Sequence, residues 1–142
     1  MNDLRIGEVA KACGVSVDTI RHYERLRVIP EAHRDANGYR RYPQTAIAGV
    51  LMVRRALRIG FTLDELARIF KKRAAGQTPC GEVRALAVKK LDELEERIRE
   101  MVAVREALAS TIESWKQRLE ATPAGELAHL LESLNDVERR TN

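Results

Sequence analysis

The sequence predicts an all-α fold with a small β wing: a winged helix-turn-helix head followed by one long coiled-coil helix. Three observations predict it. Two short helical patterns on either side of Gly14 lead into a basic, aromatic run, Gly38-Tyr39-Arg40-Arg41-Tyr42. From Pro79 to Glu120 there is no further proline, and glycine occurs only at Gly81. Along that stretch Ala87, Leu91, Leu94, Ile98, Met101, Arg105, Leu108, Ile112, Trp115 and Leu119 alternate spacings of four and three, a heptad seam interrupted only by Arg105. The expected organisation is a head over 1–75, a dimerisation helix over 79–120 and a short carboxy-terminal effector or cap region over 121–142.

Each element has its own signals. Ile6, Val9 and Cys13 share one helical face, and Gly14 supplies the turn that follows. Ser16 suits the N-cap of a second helix and Asp18 its first turn. That helix runs to about Leu26, and Pro30 lies beyond it. Asn37-Gly38 marks a tight turn between two short runs that can pair as a hairpin, the wing. Pro43 fits the first turn of a third helix, which Gly60 ends. Thr62-Leu63-Asp64-Glu65 is a capping box opening a fourth helix, broken at Ala74-Ala75-Gly76. A 40-residue helix after Pro79 would be roughly 60 Å long, and its single apolar seam calls for a second copy of the chain, or else for folding back on its own core. After Thr122-Pro123-Ala124-Gly125 a short amphipathic helix is expected over 126–134, then a polar, fraying tail over 135–142.

Charge divides the 142 residues. Residues 1–75 carry 15 Lys and Arg against 8 Asp and Glu, and residues 76–142 carry 10 against 13. A basic head joined to a weakly acidic helix suggests that the head meets a polyanion. A helix beginning near Ser16 can enter the major groove of duplex DNA with Ser16, Val17, Thr19 and Arg21 at its leading end. The planar fork of Arg21 suits phosphate or guanine, although a surface ion pair with a neighbour such as Glu24 would also account for it. In the wing, Tyr39, Arg40, Arg41 and Tyr42 combine charge with phenolic donors that can hold phosphates. One of the two tyrosines should pack inward, because strand neighbours face opposite ways. Arg54 and Arg58 share a face of the third helix and either support the backbone contact or are solvated.

Catalysis is not expected: the chain has no phosphate-binding glycine loop and no nucleophile and base at a suggestive spacing. No run approaches the roughly 20 apolar residues of a membrane span, and the amino terminus has no signal-peptide pattern. A cytoplasmic protein with reduced thiols is the expectation. The alternative to a DNA-binding regulator is a coiled-coil adaptor, which would explain the seam but give Arg21 and the Arg40-Arg41 pair no purpose.

The blocks Ile6-Gly7-Glu8-Val9-Ala10, Gly14-Val15-Ser16-Val17, Thr19-Ile20-Arg21-His22-Tyr23-Glu24, Gly38-Tyr39-Arg40-Arg41-Tyr42 and Leu57-Arg58-Ile59-Gly60-Phe61-Thr62-Leu63, followed by the long helix, resemble MerR-family transcriptional regulators over residues 4–120. The resemblance implies a homodimer with antiparallel long helices and two winged heads. It implies binding to double-stranded promoter DNA with an overlong spacer, and distortion of that spacer for RNA polymerase when an inducer binds near the dimer helices. It also points to His22 and Tyr23 as DNA contacts, while packing in the core would account for Tyr23 equally well. The family usually has an aromatic where His22 sits, so a contact there would respond to pH.

The resemblance extends to the inducer question. Cys80 stands where divalent-metal sensors of the family place a cysteine, but the later Cys-Pro-Leu-Leu-Glu-x-Leu pattern appears here as Ala128-His129-Leu130-Leu131-Glu132-Ser133-Leu134. One thiolate per subunit does not close a zinc or mercury site. Three chemistries stay open. Cys80 joins His129, with Glu126, from the partner chain around a borderline metal; Cys80 alone is modified by an oxidant or electrophile; or Cys80 is inert and an inducer, if there is one, is organic. Cys13 lies on the apolar face of the first helix and is expected in the core.

Overall fold

A computed structural model describes residues 3–139. The elements are α1 (Ile6–Cys13), α2 (Val17–Arg25), β1 (His33–Arg34), β2 (Arg40–Arg41), α3 (Thr45–Arg58), α4 (Leu63–Ala74), α5 (Cys80–Glu120) and α6 (Leu134–Glu138). They group into two compact units that part between Lys90 and Leu91. The first turns of α5 therefore belong to the head.

In the head, α1 packs on α2 and α3. Gly14 ends α1 at φ 66° and its amide closes onto Lys11. Left-handed backbone at a helix end favours glycine because a Cβ crowds it. The same turn after α2 is made by Arg27 at φ 58°. The core gathers Val9, Ile20, Tyr42, Val50 and Val53 with Phe61, Leu66 and Ile69. Leu4 and Tyr42 exchange backbone hydrogen bonds at 2.7 and 2.8 Å, an isolated bridge that ties the segment before α1 to the end of the wing. β1 and β2 pair antiparallel with His33 opposite Arg41 and Arg34 opposite Arg40. The Thr62 capping box is complete: the Glu65 amide donates to the Thr62 hydroxyl at 3.1 Å and the Thr62 amide to the Glu65 carboxylate at 2.8 Å. Lys72 to Glu82 at 2.6 Å and Lys90 to Glu65 at 2.7 Å fasten the start of α5 to α4.

The second unit contains the rest of α5 and the segment after it. The amphipathic helix expected over 126–134 is not formed. Those residues make turns, His129 takes φ 52°, and the only helix described there is the five-residue α6. Side chains of α5 account for the difference. Arg118 Nε donates to the Ala128 carbonyl and Trp115 Nε1 donates to Ser133 Oγ at 3.1 Å, while Ser133 Oγ donates to the Leu130 carbonyl. These bonds satisfy polar groups that a helix would otherwise pair with itself. Of the expected frayed tail, residues 140–142 lie outside the described residues.

Candidate nucleic-acid interface

The leading end of α2 is set by Ser16. Its hydroxyl accepts from the Thr19 amide at 3.1 Å and lies 2.9 Å from the Thr19 hydroxyl, satisfying an amide the helix leaves unpaired. Ser16 is exposed, while Val17 and Thr19 are half-buried. Arg21 and His22 face solvent on the same helix. Arg21 pairs with Asp18 at 3.5 Å, not with Glu24, and both partners are well exposed. Such a pair contributes little, so the guanidinium is free to exchange its carboxylate for a phosphate.

The wing is shaped by Asp35, a residue absent from the expected contacts. One carboxylate oxygen accepts from the Asn37 and Tyr39 amides at 2.9 and 3.0 Å, and the other from Arg41 Nε at 2.8 Å. The Arg41 bond foremost, with the two amides, holds the Asp35 carboxyl below its ordinary value. The signal was there in Asp35-Ala36-Asn37-Gly38, a side chain able to bond the backbone two residues on. Arg34 Nη1 donates to the Gly38 carbonyl at 2.8 Å. Arg40 and Tyr39 are exposed at the wing surface, whereas Arg41 is three-quarters covered.

Two residues grouped with the DNA contacts are core: Tyr42 is the wing tyrosine expected to pack inward, and Tyr23 takes its core alternative. Tyr42 has no exposed surface and Tyr23 keeps 6%. Tyr42 stands an odd number of residues from outward-facing Tyr39 and so turns inward; Tyr23 shares the buried face of α2 with Ile20. The Tyr42 hydroxyl donates to Glu24 at 2.5 Å. Burial first, then Glu24, pushes its phenol up to about 12, so it remains a donor at neutral pH.

Between α2 and the wing lies an open cleft of about 880 Å³, lined by Arg5, Arg21, Arg25, Arg34 and Arg40 with Tyr39 and the acids Glu24 and Glu31. Arg5, Arg25 and Arg34 were not anticipated. Arg25 was legible, four residues after Arg21 on the same helix face. Arg5 and Arg34 arrive from the chain start and from β1, which local pattern does not bring together. Arg54 instead has a bracing role, donating from Nη1 to the Cys13 carbonyl at 2.6 Å, while Arg58 is exposed.

Cys13 is buried with its thiol 3.8 Å from the Ile47 carbonyl oxygen, and burial raises it above its ordinary value. Cys80 is exposed as the first residue of α5. It belongs to the head, and His129, which faces Glu132 at 3.8 Å, belongs to the second unit. Among the described residues no three His, Cys, Asp or Glu side chains gather to hold a metal. Within one chain the donor set does not fit a closed metal site. No helix among the described residues is long and apolar enough to cross a membrane.

The family model described as MerR family regulatory protein matches residues 5–42, spanning α1, α2 and the wing. A second, described as MerR, DNA binding, matches residues 48–111, spanning most of α3, all of α4 and α5 as far as Thr111. The mercuric resistance operon regulatory protein of Bacillus cereus is 33% identical over 104 residues, 73% of this chain and 79% of that protein. The chain belongs to the MerR family. This MerR-family chain is accordingly a DNA-binding transcriptional regulator. Among solved MerR relatives, the transcription regulator PbrR691 from Ralstonia metallidurans CH34 in complex with lead(II) is 28% identical, covers 92% of this chain and 98% of its own, and superposes with a TM-score of 0.70. The dual-function regulator MerR from Bacillus megaterium MB1 in complex with mercury(II) is 25% identical with the same coverage and a TM-score of 0.61.

Proposed function

We propose that the chain binds double-stranded promoter DNA as a homodimer, with the leading end of α2 in the major groove and the wing on the flanking backbone. The observation that carries this is the cleft in which five arginines from the chain start, α2, β1 and β2 converge. Arg21 is the base or phosphate contact of α2, with Ser16, Val17, Thr19 and His22 around it. Arg40 and Tyr39 take phosphates from the wing, and Arg41 supports it. The segment 1–75 carries the DNA-binding elements of the head, with the first turns of α5 packed into the same unit; 79–120 is the dimerisation helix and 121–142 the cap region.

The dimer follows from α5. Leu91, Leu94, Ile98, Met101, Leu108, Ile112 and Leu119 are each 53–66% exposed, and a second copy paired antiparallel would cover them. The bound dimer distorts the promoter spacer for RNA polymerase. The metals named for solved relatives support a thiol-linked inducer, but the described donors of one chain do not close a metal site. Cys80, exposed at the start of α5, is the residue that an oxidant or electrophile would reach.

Replacing Arg21 with Ala tests the reading. Binding to a duplex selected by the parent protein should fall by about tenfold or more, the loss expected of one good base contact. Sedimentation should show an unchanged dimer. Full binding by Arg21→Ala would show that α2 is not the reading helix.

A further inference from the structure

A largely covered acid lines the basic cleft. Glu24, on the last turn of α2, has a side chain only 11% exposed. Its Oε1 accepts from the Ala32 amide at 3.1 Å, and its Oε2 accepts from the Tyr42 hydroxyl at 2.5 Å. Arg40 Nη1 lies 3.6 Å from the same Oε2. One carboxylate thus joins α2, the loop entering the wing and Tyr42, the residue that follows β2. It also meets the wing arginine that is half-exposed toward the cleft.

For a surface whose partner is a polyanion, that charge opposes affinity. A neutral acceptor would also accept from the Ala32 amide, though less strongly, so that bond alone does not call for a charge. We infer that Glu24 is a positioning residue that sets how well the protein tells its promoter from other DNA. Its oxygens fix the wing at one distance from α2, so that both engage only a duplex of matching shape. Its charge holds Arg40 and offsets part of the cleft's positive potential, so that phosphate alone, without the fitted geometry, is bound less strongly. The inference rests on the assignment of α2 and the wing as the DNA-binding surface.

The test compares the parent protein with Glu24→Gln and Tyr42→Phe, all as full-length chains. The probes are a duplex selected by the parent from a random library and an unselected random-sequence duplex. Glu24→Gln keeps an acceptor for Ala32 and removes the charge. It should tighten binding to the random duplex by roughly two- to fivefold, the size of a half-exposed ion pair. On the random duplex, where Glu24 no longer holds Arg40 back from phosphate, the dependence of log affinity on log salt should steepen by up to about one unit per head. Tyr42→Phe keeps the charge and breaks the tie to the end of the wing. It should lower affinity for the selected duplex more than for the random one. Tyr42→Phe decides the matter if Glu24→Gln does not fold, and the reverse. The inference is overturned if a folded Glu24→Gln matches the parent in random-duplex affinity and salt slope, or if a folded Tyr42→Phe preserves the ratio between duplexes. If the parent itself selects no sequence, the DNA-binding assignment fails instead.

Discussion

At the scale of single residues, backbone strain and thiol chemistry give two predictions. Arg27 occupies the left-handed region at φ 58° directly after α2, the place where α1 has Gly14 at φ 66°. A side chain in that region costs about 1–2 kcal/mol, part of which glycine returns as disorder in the unfolded chain. Arg27→Gly should therefore stabilise the head by about 0.5–1 kcal/mol. A rise in urea midpoint at constant slope would show this, and a fall would mean that the Arg27 side chain contributes more than its conformation costs. Cys80 gives the second prediction. One exposed thiol per chain cannot hold zinc against a chelator, so the reduced protein should lose all added zinc(II) to a chelating indicator. Zinc retained by the parent and released by Cys80→Ser would reveal a site completed by His129 of a second copy.

At the scale of elements, the junction of α4 and α5 is open to a pH experiment. Glu65 closes the α4 capping box and also faces Lys90, whose ammonium lies 2.7 Å away and 5.5 Å from the centre of the Phe61 ring. The Lys90 bond foremost, and the Thr62 bonds after it, lower the Glu65 carboxyl below its ordinary 4.5. A lowered carboxyl contributes stability that is complete above its unfolded value and is lost as pH falls through the folded value. The urea midpoint should hold from pH 7 to about 5 and drop below the 4.5 of the free acid. Glu65→Gln keeps the capping box, so it should be less stable at pH 7 with a shallower acid loss. Equal acid sensitivity in the two proteins would exclude the Lys90 pair as the cause. This element was legible beforehand because Thr62 and Glu65 signal each other within four residues. Ser16 and Gly14 were legible for the same reason. Arg54 was not, because its partner is the carbonyl of Cys13 on another helix. Glu24 was not, because Tyr42 and Ala32 come to it only through the fold. The segment 126–134 misled because its amphipathic spacing is real, but Arg118 and Trp115 of α5 compete for its polar groups.

At the scale of the whole molecule, the seam of α5 decides the assembly. The head has a core of its own, with Tyr42, Ile20, Val9, Val50 and Val53 fully enclosed. Past Lys90, α5 has no buried residue. Its regular apolar positions, already about half covered by the helix itself, gain the rest of their burial from a second copy, a driving force of about 1 kcal/mol for each large side chain covered. Ile98, 54% exposed near the middle of α5, is a sensitive place to test it. Ile98→Glu would put a carboxylate from each copy into the covered seam, and an unpaired charge there is more costly than a lost methyl. Sedimentation at micromolar concentration should show the parent as a dimer and Ile98→Glu as a monomer. Thermal unfolding of the head should be unchanged, since its core does not use this residue. Binding to a two-half-site duplex should fall by well over tenfold, because two heads no longer act as one ligand. A dimeric Ile98→Glu would place the pairing surface elsewhere on the chain. A monomer with full DNA affinity would mean that one head reads the promoter alone.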